Sequence, residues 1–307
     1  MSKIRMFGLL LLLLLLAACE HKELLYASPR FRALRVEFDW SRYGDHEKPE
    51  GMRVVFYPAD GASEPWIFDF PRGEAQLIEL PYNDYQVVCY NYDTDGIVWK
   101  NSGSYPELTA SVRDTQSPEG EQASLTPSWL CGDHIDQVMV KADATATPVQ
   151  VVTLFPVRMV CRYTYEVNGI RRIDRAADIR ASLTDMAGSL RMATDQLPEG
   201  LSERLLFGGE VKGLQVKGGF HTFGCCQGSD EPNLFKLYIR SKQGQTHVLE
   251  CDVSEQVHAV PVAGHIGDVH IVIHVDFEIP GGIGGDDDAG FDVGVDDWAD
   301  VNQDILC

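Results

Sequence analysis

The histidines and cysteines of this 307-residue chain are the first candidates for chemistry, because pairs of them could bind a metal ion. His270 and His274 are four residues apart, a spacing that on a helix would place both imidazoles on one face and permit zinc binding. The Ile and Val residues around them instead predict a strand, in which residues four apart are separated by about 13 Å and cannot share one ion. Cys131 and His134 have no second pair at zinc-finger spacing. We therefore expect no metal site.

Carboxylates are concentrated near the C-terminus, where Asp286–Asp288, Asp292 and Asp296–Asp297 could supply oxygen ligands for calcium. The run lacks the EF-hand spacing, so a solvated charged segment is the simpler interpretation. The chain also has no G-x-S-x-G elbow, Walker loop or dinucleotide-binding glycine motif. The sequence thus predicts no catalytic residue, no cofactor and no enzymatic activity.

One cysteine occupies a position that predicts covalent chemistry. A short basic segment precedes an unbroken run of eight leucines, and Leu16-Ala17-Ala18-Cys19 matches the bacterial lipobox at every position. As a helix the leucine run is about 12 Å long, too short for a bilayer core of about 30 Å but suited to a signal peptide at residues 1–18. We expect cleavage between Ala18 and Cys19 and a diacylglyceryl thioether on the Cys19 sulfur.

Lipidation of Cys19 would hold the mature chain at a membrane. Two acyl chains anchor a protein stably, whereas one binds reversibly. No other apolar stretch is long enough to span a bilayer. Glu20, rather than Asp, follows the cysteine, and Glu20 and Glu23 are similar to the acidic export signals of Bacteroidetes surface lipoproteins. We expect a lipid-anchored outer-membrane protein that faces the cell surface.

Acidic residues outnumber basic residues, 46 to 26, which gives a net charge of −20. The mature charge is −22, because Lys3 and Arg5 leave with the signal peptide and no acidic residue does. A field of this sign repels phosphate groups, so we expect no nucleic-acid partner.

Seven cysteines remain once Cys19 is modified, and an odd number cannot pair completely within one chain. Cys89 and Cys161 lie in apolar runs, where a buried cysteine acts as a small hydrophobic residue. The adjacent Cys225 and Cys226 could have a redox or disulfide role, or could be incidental thiols at the edge of a loop. The sequence leaves both interpretations open.

The rest of the chain has the pattern of β-strands. Leu34–Trp40 alternates apolar and polar residues, Met52–Tyr57 is β-branched and aromatic, and turn residues recur about every ten residues. This pattern predicts an all-β protein with two tandem β-sandwich domains. The predicted divisions are a tether at 19–30, domains at 31–145 and 146–280, and a Gly/Asp-rich linker with a C-terminal strand at 281–307.

Local signals refine this outline. Residues 101–127 are rich in Ser, Thr, Pro and Gly and predict a long loop, whereas Gln243-Gly244 predicts a hairpin. Residues 171–192 fit a helix face or strands, and we favour strands with a turn at Ala187-Gly188. Six aromatic residues could line a sugar-binding surface or pack in the core: Trp66, Tyr82, Tyr85, Tyr90, Tyr92 and Trp99.

Several segments together resemble the fimbrial-anchor-like lipoproteins of Bacteroidetes, relatives of fimbrillins and fimbrial anchor subunits. The resemblance extends over nearly the whole mature chain, in Cys19–Leu24, Leu34–Trp40, Pro49–Met52, Phe56–Pro58, Val88–Thr94, Cys161–Tyr165, Met186–Gly188, Phe223-Gly224, Val295–Trp298 and Val301-Asn302.

This resemblance implies two transthyretin-like β-sandwiches on a lipid anchor, with fimbrial subunits as partners. It also implies that a C-terminal strand of one subunit can complete a groove in its neighbour. Phe291, Val293 and Val295, which follow the Gly-rich linker, suit such a donor strand, but they equally suit a strand of their own domain. Relatives of the fimbrillin type are trimmed after a basic residue, and Arg30 or Arg32 could serve, which the sequence leaves open.

The sequence is compatible with three classes of function. The first is a structural or adhesion lipoprotein at the cell surface, in the fimbrial anchor class. The second is a glycan-binding surface lipoprotein that supplies an import system, suggested by the aromatic residues. The third, a hydrolase or metalloenzyme, is supported only by the His and Asp content.

Overall fold

The computed structural model describes residues 30–61, 63–141, 149–259 and 266–281. The predicted signal peptide with Ala18 and Cys19 lies outside the described residues, as does the predicted C-terminal strand at Phe291, Val293 and Val295. The described ranges contain 21 strands, two short 3-10 helices and one five-residue α-helix, α1 (Ser254–His258). None of the helices in these ranges is long and apolar enough to cross a bilayer.

The strands are numbered in chain order. They are β1 (Phe31–Phe38), β2 (Gly51–Pro58), β3 (Trp66–Pro71), β4 (Gln76–Pro81), β5 (Asn83–Asn91), β6 (Val98–Lys100), β7 (Thr109–Ser111), β8 (Asp114–Gln116), β9 (Gln122–Leu125), β10 (Cys131–Val140), β11 (Gln150–Leu154), β12 (Val157–Arg158), β13 (Cys161–Arg171), β14 (Ala176–Ala187), β15 (Ser189–Arg191), β16 (Ser202–Gly208), β17 (Glu210–Lys212), β18 (Gln215–Thr222), β19 (Leu234–Ser241), β20 (Thr246–Asp252) and β21 (Asp268–Glu278).

The N-terminal sandwich packs a three-stranded sheet, ordered β11-β1-β4, against a five-stranded sheet, ordered β12-β10-β5-β2-β3. In β1, Leu34 and Val36 face the core and Arg35 faces out, as strand alternation requires. Phe56 and Phe70 are fully buried in the same core.

The C-terminal sandwich packs a four-stranded sheet, ordered β17-β18-β13-β21, against a six-stranded sheet, ordered β20-β19-β14-β16-β9-β8. Tyr163, Tyr165 and Val167 of β13 alternate into its core. Across the two sheets, the rings of Phe207 and Phe220 stack with centroids 3.8 Å apart. The prediction of an all-β protein built from two sandwiches is confirmed.

The two sandwiches share one hydrophobic cluster. Val55, Tyr57, Val88 and Tyr90 project from the five-stranded sheet on the face opposite the N-terminal core, and they belong to the cluster that fills the C-terminal sandwich. A fifth sheet, with three strands ordered β15-β7-β6, contributes Ala110 and other buried residues to the same cluster. The junction is therefore a packed core rather than a linker.

The strand pairing differs from the predicted division at residue 145. β11 pairs in parallel with β1 and β12 pairs with β10, so both strands belong to the first sandwich. β8 and β9, which precede residue 145, join the six-stranded sheet of the second sandwich. The first sandwich thus extends to Arg158. Strands of two to five residues with partners distant in sequence carry too little periodicity to reveal this arrangement.

One of three local predictions was partly wrong, and the other two are confirmed. The loop predicted at 101–127 was wrong in part, because it contains β7, β8 and β9. The hairpin predicted at Gln243-Gly244 is confirmed, since it joins the antiparallel β19 and β20, with Gly244 at a φ of 90°. Strands were favoured over a helix in residues 171–192, and β14 and β15 lie there.

Candidate functional site

The histidines and cysteines considered as metal ligands are dispersed. No group of three or more His, Cys, Asp or Glu side chains in the described ranges could hold a metal ion. His270 and His274 lie on β21, as predicted, and His270 Nδ1 is 2.9 Å from Thr164 Oγ1 on the neighbouring strand. Cys131 is buried in the N-terminal core, whereas the side chain of His134 is partly exposed.

The adjacent thiols of Cys225 and Cys226 form no disulfide bond within the described residues. Cys225 Sγ lies 3.6 Å from the hydroxyl oxygen of Tyr163. Burial raises the pKa of both thiols, which disfavours the thiolate that redox chemistry needs. The geometry therefore favours the interpretation that these are incidental thiols.

The six aromatic residues considered for sugar binding do not form one surface. Tyr85 and Tyr90 are buried in two different hydrophobic clusters, and Trp99 stacks on Tyr90. The other three are exposed, but Tyr92 follows the end of β5 and Tyr82 precedes its start. Because the six residues are dispersed between the core and separate exposed positions, they do not form a single glycan-binding surface.

Half of β18 has an unpaired edge that forms a candidate interaction site. On one side, β13 pairs with β18 from Val216 to Thr222. On the other side, β17 pairs with β18 only as far as Lys217, opposite Glu210. Among the described residues, positions 218–222 therefore have a neighbouring strand on one side only. Residues 218–221 border a groove of about 770 Å³. A free strand edge can be extended by a strand from another chain.

Two pairs of glycines expose backbone in the wall of this groove. Gly208 and Gly209 lie at the end of β16, and Gly218 and Gly219 lie in β18. The Tyr165 hydroxyl donates a hydrogen bond of 3.0 Å to the Gly208 carbonyl, and its side chain fills the space that β-carbons on Gly209 and Gly218 would need. At the glycine positions, the strand backbone is open to close approach by another backbone.

The groove has basic side chains in a chain that is acidic overall. Arg162, Lys212 and Lys217 all line it. Lys217 Nζ is 3.0 Å from Glu166 Oε2, and this hydrogen bond lowers the pKa of Glu166. Lys212 Nζ is 3.3 Å from Glu210 Oε2. The excess of cations favours an acidic ligand over a basic one.

His221 connects the groove to the N-terminal sandwich. Its ring contacts the indole of Trp129, with centroids 5.5 Å apart, and Trp129 Nε1 donates a hydrogen bond of 2.7 Å to the Tyr43 hydroxyl. Burial lowers the pKa of His221, and the nearby Arg162 and Arg158 lower it further. The neutral imidazole is therefore the form that fits this position.

The groove was not among the sites predicted from the amino-acid sequence. The available signal was the Gly-Gly pair at 208–209 and the second pair at 218–219, because glycine inside a strand marks a bulge or a close backbone approach. The edge that these glycines border depends on where β17 stops pairing, and that point is set by tertiary structure.

Comparison with known protein families identifies the family to which the chain belongs. Residues 18–208 match the family described as Domain of unknown function (DUF5119), and because this match covers more than half of the chain, the chain belongs to that family. A curated relative from Bacteroides ovatus, provisionally named fimbrium anchoring subunit Fim4B, is 33% identical over 143 residues, which are 44% of this chain. The chain covers 41% of the length of that relative.

Solved structures share the architecture. A provisionally assigned adhesin from Bacteroides ovatus superposes with a TM-score of 0.64 at 18% identity, over 82% of this chain and 95% of the adhesin. The fimbrial anchor protein Mfa2 from Porphyromonas gingivalis superposes with a TM-score of 0.51 at 13% identity, over 79% of this chain and 91% of Mfa2. At these identities the likeness is one of fold. The predicted resemblance to the fimbrial-anchor-like proteins is confirmed.

Proposed function

We propose that the chain is a non-enzymatic fimbrium-anchoring subunit that holds fibre subunits at the cell surface. The observation that carries the proposal is the 33% identity to a protein named as a fimbrium anchoring subunit. The shared fold with the anchor protein Mfa2 supports it. In this proposal the membrane attachment is the diacylglyceryl lipid on Cys19, and the protein lies on the outer membrane.

The junction between the sandwiches suits an anchor, which has to transmit tension between a membrane and a fibre. Tyr57 and Tyr105 pack edge to face across this junction, with ring centroids 5.9 Å apart, and the Tyr57 hydroxyl donates a hydrogen bond of 3.1 Å to the Ser102 carbonyl. A packed apolar junction resists separation better than a polar linker does.

The open edge of β18 is the site that we assign to a fibre subunit. An extended segment of the partner would add to residues 218–222, main-chain hydrogen bonds would supply affinity, and alternate side chains would set the register. Arg162, Lys212 and Lys217 would favour a segment with acidic residues. The predicted strand at Phe291, Val293 and Val295 remains a candidate donor to a neighbour or to its own domain.

Site-directed crosslinking on intact cells tests this assignment. Gly208→Cys places a thiol in the groove, and nothing lies within 4 Å of a β-carbon at this position. Leu214→Cys is the matched control, because Leu214 is 79% exposed in the same sandwich but does not line the groove. We expect a thiol–amine crosslinker to join a fimbrial subunit to residue 208 and not to residue 214. The same products at both positions, or no subunit at residue 208, would contradict the assignment.

A further inference from the structure

Three exposed aromatic side chains gather at the end of the N-terminal sandwich where the described chain begins. Phe31 opens β1, Trp66 opens β3, and Tyr82 lies between β4 and β5. The rings of Phe31 and Trp66 meet edge to face with centroids 6.2 Å apart, and the Tyr82 N–H donates a hydrogen bond of 2.8 Å to the Arg30 carbonyl. Their exposed fractions are 45%, 38% and 37%. Together these three residues form a surface that we call the aromatic end face.

Further apolar side chains surround the aromatic end face. Met139, on β10 just before Val140, is 53% exposed, and Val140 pairs with Asn83 at this end of the sandwich. Val149, which immediately precedes β11, is 44% exposed. Apolar groups that cluster at one end, rather than being scattered singly, mark a surface that contacts another phase or molecule.

The aromatic end face lies close in sequence to the predicted lipid on Cys19, and this position points to the membrane as the partner of the end face. Ten residues separate Cys19 from Arg30, and the connection between these two spans at most about 40 Å when fully extended. Trp and Tyr prefer the boundary between acyl chains and water, because each has an apolar ring and a polar tip. We propose that the aromatic end face docks on the lipid–water interface of the membrane that holds the anchor. This inference rests on the lipidation of Cys19 in the proposed function.

Transfer of the apolar side chains from water into the lipid interface, rather than attraction between charges, drives the docking. Lys141 lies at this end, but its Nζ is 3.5 Å from Asp84 Oδ1, and Asp60 and Glu64 lie in the β2–β3 turn. Arg32 also lies at this end, where it donates a hydrogen bond to the Lys141 carbonyl. The three acidic groups Asp60, Glu64 and Asp84 offset the three basic groups Arg30, Arg32 and Lys141, so an anionic surface gains little from them. The end face should therefore bind neutral phosphatidylcholine and should respond weakly to salt.

Docking of the end face would fix the orientation of the N-terminal sandwich relative to the membrane, which the lipid alone does not do. A lipidated tether leaves the first sandwich free to rotate, whereas three aromatic rings at the interface hold the start of β1 toward the membrane. The rest of the N-terminal sandwich would then extend away from the bilayer along β1, whose far end is followed by Trp40.

Fluorescence quenching by brominated lipid tests the inference. The full mature, lipidated chain is reconstituted into phosphatidylcholine vesicles whose acyl chains carry bromine near the glycerol end, and tryptophan emission is compared with unbrominated vesicles. We expect quenching in the native chain, and we expect Trp66→Phe to lose most of it. Trp99→Phe is the matched control, because Trp99 stacks in the junction and should not report the bilayer.

A second set of variants keeps Trp66 as the reporter. Phe31→Ser combined with Tyr82→Ser should reduce the quenching of Trp66. Leu214→Ser, between β17 and β18 of the other sandwich, should not. Equal quenching in the native chain and in Trp66→Phe would overturn the inference.

Mass spectrometry of the same sample distinguishes failure of the docking from failure of the lipid anchor at Cys19. An acylated Cys19 with unchanged quenching in Trp66→Phe refutes only the docking, whereas an unacylated Cys19 refutes the anchor.

Discussion

The indole of Trp99 stacks on the ring of Tyr90, with ring centroids 3.9 Å apart and planes 28° apart. Tyr90 belongs to β5, in the five-stranded sheet of the N-terminal sandwich, and Trp99 belongs to β6, in the separate sheet ordered β15-β7-β6. Both contribute to the cluster that continues into the C-terminal sandwich. Because this core is shared, we expect the two sandwiches to unfold together.

Trp99→Ala tests the shared core. Trp99 is half-buried, so its truncation should lower the free energy of unfolding by about 2 kcal/mol, below the range for a fully buried tryptophan. Trp66→Ala, at the exposed end of the N-terminal sandwich, should cost less than about 1 kcal/mol. Urea denaturation followed by circular dichroism should show one transition in the native chain. Two separate transitions, with Trp99→Ala affecting neither, would contradict the shared core.

Gly209→Ala tests how Tyr165 shapes the groove. A methyl group on Gly209 would overlap the Tyr165 hydroxyl, so we expect a loss of about 1–3 kcal/mol in stability from overpacking. Gly208→Ala is the control, since nothing lies within 4 Å of its added carbon and its stability should change by less than about 1 kcal/mol. Thermal unfolding of both variants measures the difference, and equal costs would refute the explanation.

Gln256→Ala tests the protection of another strand edge. The Gln256 side chain donates a hydrogen bond of 3.0 Å to the Val272 carbonyl and accepts one of 2.8 Å from the Val272 N–H, so it satisfies the edge of β21 as a neighbouring strand would. Its removal should cost about 1–2 kcal/mol and should speed amide exchange at Val272. Glu255→Ala, on the exposed side of α1, should leave that exchange unchanged. Unaltered exchange at Val272 in Gln256→Ala would show that the edge needs no such protection.

His221 should make stability depend on pH. Burial, with Arg162 and Arg158, places its folded-state pKa below the ordinary value of 6.5. The unfolded chain therefore takes up this proton at a higher pH than the folded chain does. The contribution of His221 to the free energy of unfolding is complete above about pH 6.5, where the imidazole is neutral in both states. It is lost as the pH falls below that value, because protonation then favours the unfolded chain. We expect His221→Gln to flatten the decline in unfolding free energy between about pH 7.5 and about pH 5.5.

Nuclear magnetic resonance provides a direct measurement of the same group. The His221 ring should titrate with a midpoint below 6.5, and a midpoint at or above that value would contradict the burial argument. Burial also lowers the pKa of His247, so some pH dependence should persist in His221→Gln.

The long strands were predictable because their side chains report burial directly. Leu34 and Val36 alternate with exposed residues in β1, and Met52–Tyr57 reads as a continuous apolar run because β2 is covered on both faces. Alternation does not identify what covers a face. The sequence therefore could not show that Tyr90 lies in the junction and Tyr85 in the N-terminal core.

The pairing partners of the short strands and the groove at β18 could not be predicted from the sequence. β11 reads as the start of a second domain because Val151 and Val152 follow a small polar segment, yet it pairs in parallel with β1. The open edge of β18 results from β17 ending its pairing at Lys217, which no local pattern encodes. The positions expected to carry lipid and a donor strand, Cys19 and Phe291–Val295, lie outside the described residues.

Retention of fibres on cells tests the anchoring claim most directly. In a strain that assembles these fimbriae, the fimbrial subunit is quantified in the cell-bound and medium fractions, with either the native chain or Cys19→Ala, and secretion of the folded variant is verified in parallel. The proposed function predicts that Cys19→Ala releases most of the fimbrial subunit into the medium. Fibres that stay on the cells as they do with the native chain would contradict it.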